Sequence, residues 1–176
     1  VPRVSLARKL TTNSQLSFAY GVFNQDAMNE YRKFNNKLDG EQAMHYILNY
    51  QYTKNDRILR CEAYYKDYNK LVKYQLLNLP EAETYNNSGS GYARGIDIFW
   101  RDRYTFSNVD YYFSYSFIDT QRDYKNFPEA APPIYASKHN FSAVYKGWIS
   151  KITTQIGLTY SVSSGRPYFN PNNPAF

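Results

Sequence analysis

"DYYFSYSFIDT", residues 110–120, is the stretch whose reading decides the fold. In an extended chain, successive side chains point to opposite faces. Tyr111, Phe113, Tyr115 and Phe117 then share one face, while Asp110, Tyr112, Ser114 and Ser116 share the other. No helix-sized run of apolar residues surrounds the stretch, and the mean hydropathy of the chain is −0.69. A wall of aromatic rings with so polar a back must face something other than water.

The same alternation recurs along the chain and predicts eight strands, at residues 3–10, 15–23, 43–53, 57–71, 91–102, 109–120, 138–148 and 153–163. Helix is a weak alternative, because Tyr, Thr, Ser, Asn and Phe dominate and are poor helix formers. The best helical pattern, residues 29–46, is expected to give a short turn of helix within a loop. The connections carry more information than the strands. "TTNS", "KND", "RYTFSN" and "ISK" are short, whereas residues 24–42, 72–90 and 121–137 form long links and another begins at Ser164. Short and long connections alternate strictly. Tight periplasmic turns alternating with long outer loops are the pattern of an outer-membrane barrel.

The faces agree from strand to strand. Leu16, Phe18, Tyr20 and Val22 have Gln15, Ser17, Ala19 and Gly21 behind them, and Ile96, Ile98 and Trp100 have Gly95, Asp97, Phe99 and Arg101 behind. The expected fold is all-β: an antiparallel up-and-down transmembrane β-barrel wall of about eight strands, with residues 1–176 as part of one barrel domain. No helices or second sheet remain to cover the apolar face. Lipid would cover it, with Tyr and Trp near the strand ends forming an interfacial girdle. The alternative is a soluble, aromatic-rich β-sandwich in which two sheets share that face.

Composition narrows the field. The 176 residues suffice for one domain, and 20 Tyr with 11 Phe bring the aromatic share to 19%. Cys61 is alone, so no internal disulfide forms. The net charge of +6 is scattered without a run of five like charges, and the rings mostly occupy the face that lacks charge. That arrangement argues against a nucleic-acid partner. No segment approaches the about 18 apolar residues of a membrane helix, which leaves a barrel possible. Val1 opens without a signal peptide and "NPNNPAF" closes no element, so both ends are expected to continue in a longer protein.

Catalysis finds little support. His45 and His139 lack ligand-like spacing, and "SGSG" (88–91) and "SSGR" (163–166) read as turns rather than phosphate loops. No cofactor, metal or enzymatic activity is expected. Glu62 and Asp97 could form an acid pair, but Arg60 and Arg101 share their face, so a network of compensated lumen charges is expected.

Three segments carry a resemblance. "PRVSLARKLTTNSQLSFAYGVFNQ" (2–25) resembles a hairpin of TonB-dependent outer-membrane receptors. "NNSGSGYARGIDIFWRD" (86–102) is similar to their Gly-x-Ala-x-Gly element, which descends from an outer loop into a barrel strand. "SKHNFSAVYKGWISKITTQIGLTYSVSSGRPYFNP" (137–171) resembles the strands that follow in Bacteroidetes members. The resemblance implies a barrel of about 22 antiparallel strands with a plug inside. It implies uptake of a scarce nutrient, such as a siderophore, cobalamin or glycan, driven through TonB. The chain departs from that pattern, with no plug domain, no TonB-contacting box and only eight strand segments. It is therefore expected to be a consecutive part of the wall, meeting the plug, TonB and ligand through its parent protein. A passive porin-like barrel and a carbohydrate-binding sandwich are the alternatives.

Within the wall, Arg60, Glu62, Asp97 and Arg101 are expected to contact lumen or plug. Tyr31, Phe34, Tyr85, Tyr124, Phe127 and Tyr135 in the loops are expected to contact ligand, since such rings pair apolar area with a polar tip.

Overall fold

The computed structural model describes residues 2–75 and 84–168. All eight expected strands form: β1 (Arg3–Thr11), β2 (Ser14–Gln25), β3 (Glu41–Lys54), β4 (Arg57–Lys73), β5 (Asn86–Asp102), β6 (Val109–Asp123), β7 (His139–Ile149) and β8 (Thr154–Ser163). They lie in chain order in one eight-stranded sheet, each antiparallel to the next. β1 and β8 are its edges, and no pairing joins them among the described residues. Of the helical pattern at 29–46, only α1 (Asn29–Arg32) is α-helical, and from Glu41 the chain is already strand. The closing residues around Phe176, which were expected to end in an outer loop, lie outside the described residues.

The short connections are built for hairpins. Asn55 and Asp56 take consecutive left-handed conformations, with φ of 46° and 56°. Two such residues match the right-handed twist of the strands they join, and Asn and Asp tolerate that conformation best after Gly. Thr153, with φ of 47°, follows the 3₁₀ turn Ser150–Ile152 into β8.

Register aligns like with like. One cross-strand row runs Arg8, Leu16, Tyr50, Cys61, Ile98, Tyr115, Phe141, Val162 through all eight strands. The next row, on the opposite face, runs Ala7, Ser17, Asn49, Glu62, Asp97, Ser116, Asn140, Ser163. Nothing folds over the apolar rows among the described residues. Leu6 is 68% exposed, Leu48 46%, Ile96 48% and Leu158 64%. A sandwich would bury these side chains under a second sheet, and none is present among the described residues.

The buried apolar cluster instead sits at the long-loop end, where Ala27, Leu38, Val72 and Tyr85 pack with Tyr31 and Tyr74. β4 and β5 reach this end by running past the alternating region, through register shifts between Asn69 and Lys73.

The Gly-x-Ala-x-Gly element also has a steric reason. Gly91, Ala93 and Gly95 share the polar face of β5, and Tyr64 of β4 lies flat across Gly95. A Cβ at Gly95 would stand 2.2 Å from the Phe117 carbonyl oxygen and 2.5 Å from the Tyr64 hydroxyl. Gly95→Ala should therefore lose about 2 kcal/mol of stability, as overpacking typically does. Gly157→Ala, whose Cβ meets nothing within 4 Å, should stay within about 0.5 kcal/mol of the parent. Thermal unfolding of the two variants side by side checks the contrast; equal losses would refute the flat packing of Tyr64.

Candidate functional site

Two regions could meet other molecules: the polar face of the sheet and the loops above it. A shallow trough of ≈ 540 Å³ opens on the polar face among Asn49, Arg60, Glu62, Asp97, Ser116 and Ser142. Three of the four expected lumen residues line it. Glu62 and Asp97 are direct cross-strand partners. Asn49 Nδ2 donates to Glu62 Oε2 at 3.3 Å, and the Ser116 hydroxyl donates to Asp97.

The expected network of compensated charges does not form. Arg60 lies over the Phe99 ring, 5.5 Å from its centroid, and makes no ion pair among the described residues. Arg101 turns to Asp110 instead, with Nε to Oδ1 at 2.9 Å and an Nη to Oδ2 at 2.5 Å. The reason is the spacing of the sheet. Same-face residues along one strand stand about 6.6 Å apart, whereas a partner across the ladder stands about 5 Å away. Arg60 therefore takes Phe99, its direct partner, and Arg101 takes a carboxylate on β6.

The six expected loop aromatics gather into two clusters. Tyr31, Phe34 and Tyr85 join Tyr74, with Phe34 and Tyr74 each stacked on Tyr85 at 5.0 Å. Asn35 Nδ2 donates to the Tyr85 carbonyl at 2.8 Å and ties the loop after β2 to the start of β5. Tyr85 is only 7% exposed, so it acts first as core. Burial pushes the Tyr31 hydroxyl up to about 12, and Tyr74, Glu30 and Glu41 add to the shift. Tyr31 thus stays a neutral phenol well beyond the physiological range.

In the second cluster Tyr124 and Phe127 stack at 5.7 Å, nearly parallel. The guanidinium of Arg122 lies over three rings, 4.3 Å from Tyr68 and 5.9 Å from both Tyr124 and Tyr135. Tyr68, Tyr74 and Arg122 are absent from the sequence-based expectation. Parity could have found Arg122, since Tyr68, Gly91 and Arg122 are consecutive cross-strand partners on the polar face. Among the described residues, no group of three His, Cys, Asp or Glu gathers to hold a metal.

At the short-turn end, at the last residue of β5, Asp102 organises the connection to β6. It is 2% exposed. Its Oδ1 accepts from the backbone of Tyr104 and Thr105, both at 2.8 Å. Its Oδ2 accepts from the Thr105 hydroxyl at 2.5 Å, Arg57 Nε at 3.1 Å and the Tyr111 hydroxyl at 3.2 Å. Burial alone would raise its pKa, but the hydrogen bonds from Thr105, Tyr104 and Tyr111 outweigh burial and hold it below the ordinary value of 3.8.

No family model and no curated protein matches the chain. A solved structure does: the FrpB iron transporter from Neisseria meningitidis, F3-3 variant. The fit has a TM-score of 0.71 over 90% of this chain, at 8% identity, and covers 26% of that chain. Identity this low speaks for fold alone. The chain is an all-β, up-and-down antiparallel sheet similar in fold to part of that transporter's β-barrel.

Asp102 gives a pH test. A carboxylate with a lowered folded pKa stabilises fully above its unfolded value and loses that contribution as pH falls towards the folded value. Wild type and Asp102→Asn should differ in thermal unfolding near neutrality, and the gap should narrow progressively below the ordinary value of 3.8. A gap that stays constant into strong acid would show that the carboxylate charge is not what holds the turn.

Proposed function

We propose that the chain is part of the wall of a TonB-dependent outer-membrane receptor of the Bacteroidetes type, which takes up a scarce nutrient such as a siderophore, cobalamin or glycan. One observation carries the proposal: a single antiparallel sheet whose apolar face runs from β2 to β8, and over β1 except at Arg8, with no protein over it among the described residues. The likeness to an iron transporter's fold supports the same reading. Membrane lipid covers the apolar rows. Tyr20, Tyr46 and Tyr65, consecutive cross-strand partners, form the girdle on the loop side. Tyr52, Trp100 and Phe113 mark the turn side.

In that receptor the wall is one of several parts. Arg60, Glu62, Asp97 and Arg101 face the lumen and meet water or the plug. Tyr31, Phe34 and Tyr85 hold the loops in shape, while Tyr124, Phe127 and Tyr135 offer rings to a ligand. TonB acts through the remainder of the parent protein, and the wall itself performs no catalysis.

The test is folding with and without detergent, followed by circular dichroism and gel filtration. Folding only in detergent is the expected result. A sharp, soluble, monomeric β-fold in plain buffer would instead favour a soluble binding module. Leu48→Arg sharpens the test, because Leu48 lies mid-strand on the apolar face. In a bilayer the substitution should cost about 2–4 kcal/mol of folding free energy. On a water-exposed surface it would cost roughly 0.5 kcal/mol or less.

A further inference from the structure

The polar face is divided by charge. Of its carboxylates, Glu62 and Asp97 occupy one central row, and Asp110 pairs with Arg101 nearer the short turns. Towards the long loops the next charged side chains are all cationic: Arg3, Lys66 and Arg122, with His45 between the first two. Arg3, Gly21, His45 and Lys66 are consecutive cross-strand partners. None of the three cations makes an ion pair among the described residues. The acids nearby are already engaged: Glu41 accepts from the Val72 backbone at 3.1 Å, Asp119 pairs with Arg94 at 2.8 Å, and Asp123 pairs with Lys73.

Each cation leans on a ring instead. Arg3 lies 4.5 Å from the Phe23 centroid, and Phe23 in turn packs at a tilt against His45, 4.5 Å between centroids. Lys66 Nζ lies 5.1 Å from the Tyr64 ring. Arg122 crosses above Gly91, whose missing side chain leaves room for the arginine stem, to reach Tyr68 at 4.3 Å. A Cβ at Gly91 would stand 2.9 Å from Arg122 Cγ. Arg122 Nε is the one buried side-chain polar atom without a hydrogen-bond partner among the described residues. With Nε closed off, the charge can be met only at the terminal nitrogens.

A ring under a cation fixes its position and leaves its charge uncancelled. A carboxylate partner would do the opposite. A face that orients three cations and neutralises none is complementary to an anion. We infer that the upper polar face, centred on Lys66 and Arg122, binds a small polyanionic ligand through its carboxylate or phosphate oxygens. Planar guanidinium matches such oxygens two at a time. The proposal rests on the reading that this face lines the interior of a barrel, and it names the ligand class that its outer end would select.

The experiment titrates citrate and, separately, pyrophosphate into the full chain folded in detergent at low salt, read by calorimetry. Binding of either supports the inference, and the tighter one assigns the oxygen class. Arg122→Gln and Lys66→Gln should each weaken binding about tenfold, as loss of a charge-assisted contact does. Arg122→Lys, which keeps the charge but loses the planar fork, should weaken it less and guards against a folding defect. Lys54→Gln and Lys151→Gln, at the short-turn end, should change little. A folded chain that binds neither probe overturns the anion site and leaves the transport reading standing. Equal losses from the short-turn variants would reduce the effect to net charge and also overturn it. A chain that folds without detergent fails the membrane reading on its own readout, and the same titration in buffer still tests the anion site.

Discussion

An antiparallel ladder gives every side chain one of two destinations, and in this sheet no protein layer covers either of them among the described residues. The backbone hydrogen bonds are satisfied within the sheet except along β1 and β8. What differs between the faces is the medium each one suits. A slip of one residue would carry Glu62 and Asp97 to the face of Leu59, Cys61 and Ile98. Charge would then stand where lipid is proposed to lie, and leucine and isoleucine would stand in the trough. Register is therefore dictated by the surroundings of the sheet as much as by its turns.

The same constraint explains why the buried core lies where it does. A sheet with an unlayered apolar face has no interior of its own. The loops, which stand beyond that face, must bury something to hold a shape. Ala27, Leu38, Val72 and Tyr85 do this, reinforced by the stacking of Phe34 and Tyr74 on Tyr85. Asn87 joins the same region by accepting from the Asp39 backbone at 2.8 Å and donating to the Lys70 carbonyl at 2.8 Å. Three distant segments are thereby fixed to one another. Loops tied this firmly present preformed surfaces, which lowers the ordering cost of any contact they make.

The strands were legible because their middles alternate cleanly, as Tyr111 to Phe117 and Ile96 to Trp100 do. Their outer ends were not. β4 continues to Lys73, β5 begins at Asn86 and β6 continues to Asp123, past the expected limits of 71, 91 and 120. Beyond the apolar rows the ends of β5 and β6 carry polar or small residues on both faces, so alternation fades while the ladder continues. Arg122 lies in that extension, two residues past the expected end of β6, where only parity continued from the strand's middle would place it on the polar face. Parity predicts that Arg60, Glu62, Asp97 and Arg101 share a face, and the structure puts them on one. Their partners did not follow, because parity assigns a face and says nothing about which row lies opposite. Nor could alternation show that Tyr31, Phe34 and Tyr85 meet, since the contact joins loops far apart in sequence.

How the cations are held decides what field they project. At the short-turn end Arg57, Arg101 and Arg103 each meet an aspartate, at 3.1, 2.5 and 3.0 Å, and their fields largely cancel. On the upper polar face the cations meet quadrupoles, which fall off faster with distance than a charge does, so a net positive field remains. The glycines of the "GYARG" element make this possible. With side chains there, Tyr64 could not lie flat over Gly95, nor Arg122 reach across Gly91 to Tyr68. Small residues on one strand thus let large ones on its neighbours lie against the sheet. A motif that looks like a loop signature in the sequence acts in the fold as the floor beneath an uncancelled charge.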